Sequence, residues 1–170
     1  MFTNLLPQSE QLLTVEYTDY ANGHYLKRFK KDYPGRQWEL TDVSIREDLA
    51  RLRMPNNVTQ RSKQIDELKH KGDYWLAKYD FKIAGTKVST KDSGNRCIVL
   101  IDNARSKLDI LLIYHKDDLP KNQNETQYIE STLQKQYDLL QLFVEEKKYR
   151  ILTNSISKHK SVIYCRLEKY

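Results

Sequence analysis

Hydrophobic positions along this chain fall either in short runs with strand periodicity or in longer runs with helical spacing. The stretch from Ser93 to Lys116 contains two strongly apolar runs, Cys97 to Ile101 and Ile110 to Tyr114, separated by a polar turn. Because both runs are apolar at every position, they predict neighbouring strands that are buried on both faces. We expect this hairpin to form the centre of a sheet.

Two other segments alternate between apolar and polar residues, which is typical of half-buried strands. Leu13 to Tyr17 predicts a short strand near a sheet edge. Trp75 to Ala84 predicts a longer strand with one wet face, because charged residues alternate with Tyr79, Phe81 and Ile83. With the central hairpin, this strand completes a meander of three strands.

Helical spacing appears in four segments. The first contains Tyr25 to Tyr33 and ends at Pro34-Gly35, and the second runs from Thr41 to a stop before Pro55. A weaker helical pattern covers Val58 to Lys71 and stops at Gly72. A long helix is predicted from Glu125 to Lys147, with apolar residues along one side.

These elements predict an α+β fold. We expect a small antiparallel sheet, made of the three-strand meander plus an N-terminal strand, with helices packed on one face. The 170 residues are sufficient for one domain. Residues 1–11 are expected to form an N-terminal arm and 12–148 the α+β domain. Residues 149–170 are expected to form a C-terminal extension, either as two further strands or as an irregular tail.

Composition adds a moderate positive charge. Lys and Arg number 29 against 23 for Asp and Glu, which gives a net charge of +6 and is compatible with a polyanionic partner. The two cysteines are far apart and form no CxxC pair, so neither a metal site nor a disulfide is expected. Because no apolar run is long enough to cross a bilayer and the N-terminus lacks a secretory pattern, we expect a cytoplasmic protein.

Three stretches carry a family resemblance: TVEYTDYANGHYLKRFKKDY, YDFKIAG followed by SGNRCIVLID, and LDILLIYHKDD. Across roughly residues 12 to 135 the chain resembles the RelE/HigB-like toxins of bacterial toxin–antitoxin pairs. The resemblance implies a RelE-like α+β domain that cleaves messenger RNA in association with the ribosome, without a cofactor, and an acidic antitoxin protein as partner. Residues 56–72 and those beyond about 145 have no counterpart in the family pattern.

The resemblance also implies a site on the sheet. Cleaving RNA through its own 2′-hydroxyl requires a group that takes the proton, cations that stabilise the charged transition state, and a proton donor for the leaving oxygen. Arg96, His115 and Lys82 are the candidate catalytic residues, and His115 suits either proton role because its ordinary pKa is near 6.5. The candidate RNA-binding residues are Lys78, Lys87, Tyr114 and Lys116.

Each candidate residue has a purely structural alternative. Tyr114 and His115 are consecutive on a strand and point to opposite faces, so His115 could be only a partly exposed strand end. Arg96 could pair with Asp102 or Asp109, and Asp80 could neutralise the neighbouring lysines. At the level of function, the alternatives are a non-catalytic RNA- or protein-binding module of the same fold and a structural protein of a mobile element.

Overall fold

The computed structural model of this chain describes residues 12–52, 54 and 65–137. Within them, five strands form one open sheet in the order β1-β5-β4-β3-β2. The pairs β2–β3, β3–β4 and β4–β5 are antiparallel, and β1 pairs with β5 in parallel. The strands are β1 (Thr14–Tyr17), β2 (Ile65–Lys71), β3 (Tyr74–Phe81), β4 (Asn95–Asp102) and β5 (Lys107–His115).

Helices precede and follow the meander. A helical segment follows β1 and consists of α1 (Asp19–Ala21), a π-helical turn (Asn22–Leu26) and α2 (Lys27–Asp32). Helix α3 (Arg36–Ala50) comes next and buries Trp38, Thr41, Ile45 and Leu49. After β5, a short 3₁₀ turn (Lys116–Asp118) leads towards α4 (Glu125–Gln136).

The sheet is covered on both faces. Cys97, Val99 and Ile101 of β4 belong to a core that they share with α2 and α3, which contribute Phe29 and Ile45 among others. The intervening β4 residues, including Ile98 and Leu100, pack in a second core against Tyr128, Ile129 and Leu133 of α4. Strand alternation sends successive side chains to these two cores. We call the two sides the α3 face and the α4 face.

The central position predicted for the apolar hairpin is confirmed. Strand β4 lies in the middle of the sheet, and Leu108 and Ile110 to Tyr114 of β5 are fully buried. A bulge between Ile98 and Val99 of β4 leaves Leu111 of β5 as an extra residue in the register. Burial on both faces follows from the continuous apolar runs, since a strand with one wet face would have carried polar residues at alternate positions.

Three predictions about the fold were wrong. The helices do not pack on one face, because α4 covers the face opposite α3. The N-terminal strand makes the sheet mixed, because it pairs with β5 in parallel. The charged side of β3 is not a wet face, because α4 lies over it and leaves Leu76 and Asp80 buried.

The helical pattern predicted up to Lys71 is also wrong where the structure describes it. Ile65–Lys71 is strand β2, joined to β3 by the two-residue turn Gly72-Asp73. Gly72 has a φ of +57°, a conformation that glycine adopts without strain. A Gly-Asp pair between two strand-like segments is a hairpin signal, and it should have outweighed the weak helical spacing.

Several other predictions concern residues outside the described ranges. They are the N-terminal arm 1–11, the first part of the weak helical segment, the continuation of α4 towards Lys147, and the extension 149–170. Among the described residues, no helix is long and apolar enough to span a bilayer.

Candidate functional site at one end of the sheet

The predicted site residues gather near one end of the sheet, where β3 and β5 finish and β4 begins. In the strand register, Arg96 of β4 lies between Asp80 of β3 and Tyr114 of β5, and Asn95 lies opposite His115. Consecutive residues point to opposite faces, so this register places Arg96 and Tyr114 on the α4 face and Asn95 and His115 on the α3 face. Arg96 and His115 therefore do not share one cleft.

On the α4 face, one carboxylate gathers three of the predicted residues. Glu125 is the first residue of α4, and its Oε1 accepts hydrogen bonds from Nη1 of Arg96 and from the hydroxyl of Tyr114, the latter at 2.7 Å. Its Oε2 lies 3.7 Å from Nζ of Lys78, which also lies 3.1 Å from Oδ2 of Asp66. Tyr114 is fully buried. We call Glu125, Arg96, Tyr114, Lys78 and Asp80 the Glu125 network.

Asp80 completes this network from β3. Its Oδ1 lies 3.2 Å from Nε of Arg96, but the two atoms are not aligned for a hydrogen bond and have no other partner among the described residues. The attraction between them is therefore Coulombic. The side chain of Arg96 is 18% exposed and that of Asp80 8%, so the pair is shielded from solvent by the surrounding residues.

The pKa values of the two carboxyl groups in the network are shifted in opposite directions. Burial alone would raise the pKa of Glu125, but hydrogen bonds from Tyr114 and Arg96 and the charge of Lys78 outweigh it and hold the pKa below 4.5. Burial raises the pKa of Asp80 above 3.8 in spite of the nearby positive charges of Arg96 and Lys78. Burial and the hydrogen bond to Glu125 raise the pKa of Tyr114, which keeps its hydroxyl protonated as a donor.

On the α3 face, both nitrogens of the His115 ring are engaged within the protein. Nε2 lies 2.9 Å from the carbonyl oxygen of Ser93, and Nδ1 accepts a hydrogen bond from the backbone N–H of Asp117. In these two contacts Nε2 is placed to donate and Nδ1 to accept, and Oδ2 of Asp117 lies 3.6 Å from Nδ1. The ring also lies against Gly94, where an added Cβ would come within 2.8 Å of Nε2.

His115 borders a cleft of about 260 Å³ between α2 and the ends of β4 and β5. Arg28 of α2 spans its mouth and forms ion pairs with Asp32, at 3.2 Å, and with Asp118. Asn95 forms part of the wall and is buried, yet its Oδ1 has no hydrogen-bond partner among the described residues. We call this cavity the His115 cleft.

The remaining predicted residues lie on the surface. Lys82 and Lys87 are exposed in the β3–β4 connection, and Lys116 is exposed directly after β5. The backbone N–H of Lys116 donates to the carbonyl of Gly94 at 2.8 Å, which holds this lysine beside the start of β4. None of the three forms an ion pair with a described residue.

Sequence reasoning missed the residues that organise both sides of the site. The sequence suggested Asp102 or Asp109 as the partner of Arg96. The structure shows that the partners are Asp80 and Glu125. Glu125 was predicted only as the start of a helix. The available signal was limited to the sequence Asn124-Glu125, because a cap at Asn124 predicts that Glu125 is the first helical residue but not where that helix lies on the sheet.

Metal-binding side chains do not cluster in the part of the chain that the structure describes. It contains no group of three or more His, Cys, Asp or Glu side chains that could hold a metal ion. Cys97 is buried in the α3-face core, and burial raises the pKa of its thiol. A buried, protonated thiol is a poor nucleophile and metal ligand.

The fold and site together define an α+β protein with an open five-stranded sheet, a shielded charge network on one face and a polar cleft on the other. No protein-family model, no curated protein and no solved structure matches the chain. The likeness to RelE/HigB-like toxins therefore rests on the three sequence stretches alone and stays a prediction.

Proposed function

We propose that this protein binds RNA through the end of the sheet that carries the His115 cleft. The supporting observation is a set of exposed lysines on α2, on the β3–β4 connection and directly after β5, which are the elements at that end, and none of these lysines forms an ion pair with a described residue. We call this group the basic end; its lysines are Lys27, Lys30, Lys31, Lys82, Lys87, Lys91 and Lys116. Unpaired lysines attract phosphates and release counterions when they bind, so they favour a polyanion as partner.

The Glu125 network supports the choice of this surface over the α4 face. Arg96 and Lys78 are largely shielded and already paired with carboxylates, and Tyr114 is fully buried. An RNA phosphate would have to displace Glu125 before it reached them. We therefore propose that these three residues hold α4 on the sheet, and that the exposed lysines contact RNA.

Cleavage of messenger RNA, as the resemblance to RelE/HigB-like toxins implies, is a second candidate function. The observation that favours it is the position of His115, beside Arg28 in a cleft at the basic end. A neutral imidazole can take the proton of a 2′-hydroxyl, and a guanidinium can stabilise the charge that develops on the phosphate. His115 would have to exchange its hydrogen bond to Asp117 for one to the RNA.

The same surface would suit the acidic antitoxin that the resemblance implies. An acidic segment laid across the basic end would compete with RNA for the same lysines. The alternative of a non-catalytic binding module keeps this surface but does not need His115 as a proton acceptor.

Binding of a single-stranded RNA of mixed sequence, followed by fluorescence anisotropy at several salt concentrations, tests the main proposal. Replacing Lys87 and Lys116 by Ala should weaken binding and reduce the slope of log K against log salt by about 0.7 for each RNA phosphate that the variant no longer binds. The matched control replaces Arg105 and Lys135 by Ala. Both residues lie away from the basic end, and their replacement removes the same amount of charge. Equal effects of the two double variants, or no binding at low salt, would overturn the proposal.

Expression of the wild type beside His115→Ala in growing bacteria tests the cleavage hypothesis. Growth arrest and messenger-RNA fragments are expected for the wild type and should be absent in His115→Ala. RNA binding without fragments from either protein would reject cleavage and leave the binding proposal intact.

A further inference from the structure

The His115 cleft has the size and lining of a pocket for one flat polar ring system. At about 260 Å³ it is smaller than the pockets of roughly 300–1,000 Å³ that hold drug-sized ligands. Its walls include Phe29 and Tyr33, whose rings lie 6.4 Å apart at an angle of 25°. Tyr33 is half-buried and lines the cleft.

A buried acceptor without a partner lines this cleft. Asn95 is 4% exposed, and its Oδ1 receives no hydrogen bond from any described residue. Such an oxygen is unfavourable in a folded protein, where nearly all buried polar atoms are paired. A ligand that donates a hydrogen bond from inside the cleft would remove this deficit.

The mouth of the cleft carries both acceptors and donors. Asp118 uses one carboxylate oxygen to hold Arg28 and retains the other as an acceptor. Arg28 uses Nε and Nη1 for Asp32 and Asp118, so further N–H groups of its guanidinium remain. A matching ligand therefore presents at least two donors and one acceptor.

We propose that the cleft binds one unpaired guanine base of the RNA. The Watson–Crick edge of guanine carries two neighbouring donors, N1–H and the N2 amino group, beside one acceptor, O6. Asn95 Oδ1 and Asp118 accept from the donors, Arg28 donates to O6, and the ring stacks on Tyr33. Adenine, cytosine and uracil each offer only one donor position on this edge, so they leave an acceptor of the cleft unpaired. This proposal rests on the proposed RNA binding and adds a base preference to it.

Free nucleotides separate the cleft from the lysines around it. The full chain is titrated with guanosine, adenosine, cytidine, uridine and inosine 5′-monophosphates, while the NMR signals of the His115 ring and the Gly94 amide are followed. Guanosine monophosphate should bind at least about tenfold more tightly than the adenosine, cytidine and uridine nucleotides. Inosine monophosphate lacks the N2 amino group and should bind several-fold more weakly than guanosine monophosphate. Equal affinities for all five would show phosphate binding alone and overturn the proposal.

Two variants test the assigned atoms. Asn95→Leu replaces the unpaired oxygen by a methyl group in a side chain with the same branching and should abolish the preference for guanine. Asp118→Ala, at the rim of the cleft, removes the second acceptor and provides the same test should Asn95→Leu fold poorly. Glu130→Gln on α4 is the control and should keep the full preference. Retention of the preference in both cleft variants would contradict the proposal.

The two proposals can fail separately. In the Lys87→Ala, Lys116→Ala double variant, RNA should bind more weakly while the guanine preference among mononucleotides is unchanged. A guanine preference in a protein that does not bind RNA would reject the proposed function and retain the pocket. RNA binding that depends on the lysines but shows no base preference would retain the proposed function and reject the guanine pocket.

Discussion

Glu125 is a single carboxylate that joins two layers of the protein. It accepts hydrogen bonds from Arg96 and Tyr114 on two strands and lies near Lys78 on a third. Removing one partner of such a shielded network leaves the others without compensation, which is usually more damaging than the absence of the whole network. Arg96, a catalytic candidate from the sequence, and Lys78, an RNA-binding candidate, therefore have a structural use.

Glu125→Gln should lower the free energy of unfolding at pH 7 by about 1.5–3 kcal/mol, because hydrogen bonds to a charged acceptor become neutral. The pKa of Glu125 is lower in the folded protein than its ordinary value of 4.5, so its charge stabilises the fold above pH 4.5. That contribution disappears as the pH falls through the folded-state pKa. Urea denaturation from pH 7 down to pH 3 should show the two proteins converging.

Glu130→Gln is the control for this experiment, since Glu130 forms only a 3.7 Å ion pair with Lys69 on the surface. The pKa of Asp80 is raised, so its ionisation destabilises the fold as the pH rises above 3.8, in the wild type and in both variants. A destabilisation of Glu125→Gln that is the same at pH 3 and pH 7 would contradict the role given to its charge.

Gly94→Ala should destabilise the protein for two reasons. Gly94 has a φ of +69°, and a Cβ there would lie 2.8 Å from Nε2 of His115. Gly85 has a φ of +79° with no atom within 4 Å of its Cβ position, so Gly85→Ala should show only the backbone strain of about 1–2 kcal/mol. Gly94→Ala should be destabilised by roughly 1–3 kcal/mol more, from overpacking.

A double-mutant cycle with His115→Ala isolates the clash at Gly94. Thermal denaturation of the single and double variants should show that removing the ring recovers most of the additional destabilisation. If Gly94→Ala and Gly85→Ala are equally destabilised, the close approach of the His115 ring to Gly94 is not a constraint on the fold.

At the scale of elements, α4 is attached to the sheet at both ends. Its first residue, Glu125, contacts Arg96 and Tyr114, and at its other end the hydroxyl of Tyr137 donates to the carbonyl of Leu111 at 2.7 Å. Between these points, Tyr128, Ile129 and Leu133 fill the α4-face core. The polar contacts fix where the helix lies, and the apolar side chains supply most of the burial.

Asn124→Ala should test the start of this helix. The Asn124 side chain accepts from the N–H of Gln127, and the Gln127 side chain accepts from the N–H of Asn124, which together form a capping box. Removing the cap should lower the free energy of unfolding by about 1 kcal/mol. Gln134→Ala, at an exposed position in the same helix, should change it little, and urea denaturation compares the two. Equal effects would argue against the cap.

At the scale of the molecule, the layered arrangement predicts an order of local stability. Strands β4 and β5 are buried on both faces, whereas β2 is an edge strand whose side chains are largely exposed. Hydrogen exchange followed by mass spectrometry should therefore show the slowest amides in β4 and β5 and faster exchange in β2. Faster exchange in β5 than in β2 would mean that burial on both faces does not determine how readily a strand opens locally and exposes its amides to solvent.

The predictions from sequence succeeded where one local pattern has one structural solution. The continuous apolar runs of β4 and β5 could only be buried on both faces. The helical segment after β1 ends at Asp32, before Pro34-Gly35, and α3 ends at Ala50, before Pro55, but α3 begins at Arg36 and not at Thr41 as predicted. The predictions failed for β2, where a short segment with mixed spacing was compatible with either a helix or a strand and the turn at Gly72 was given too little weight.

The sequence by itself determined the α+β class, the central hairpin and the fact that Tyr114 and His115 face opposite ways, because these depend on periodicity within one element. Only the tertiary structure decided that α4 covers the face opposite α3, and with it which face is shielded. It also brought Glu125 to Arg96 across 29 positions of sequence. No periodicity encodes such a pairing, because it depends on how two separate elements pack. That packing shields Arg96 on the α4 face and leaves His115 beside a cleft on the other.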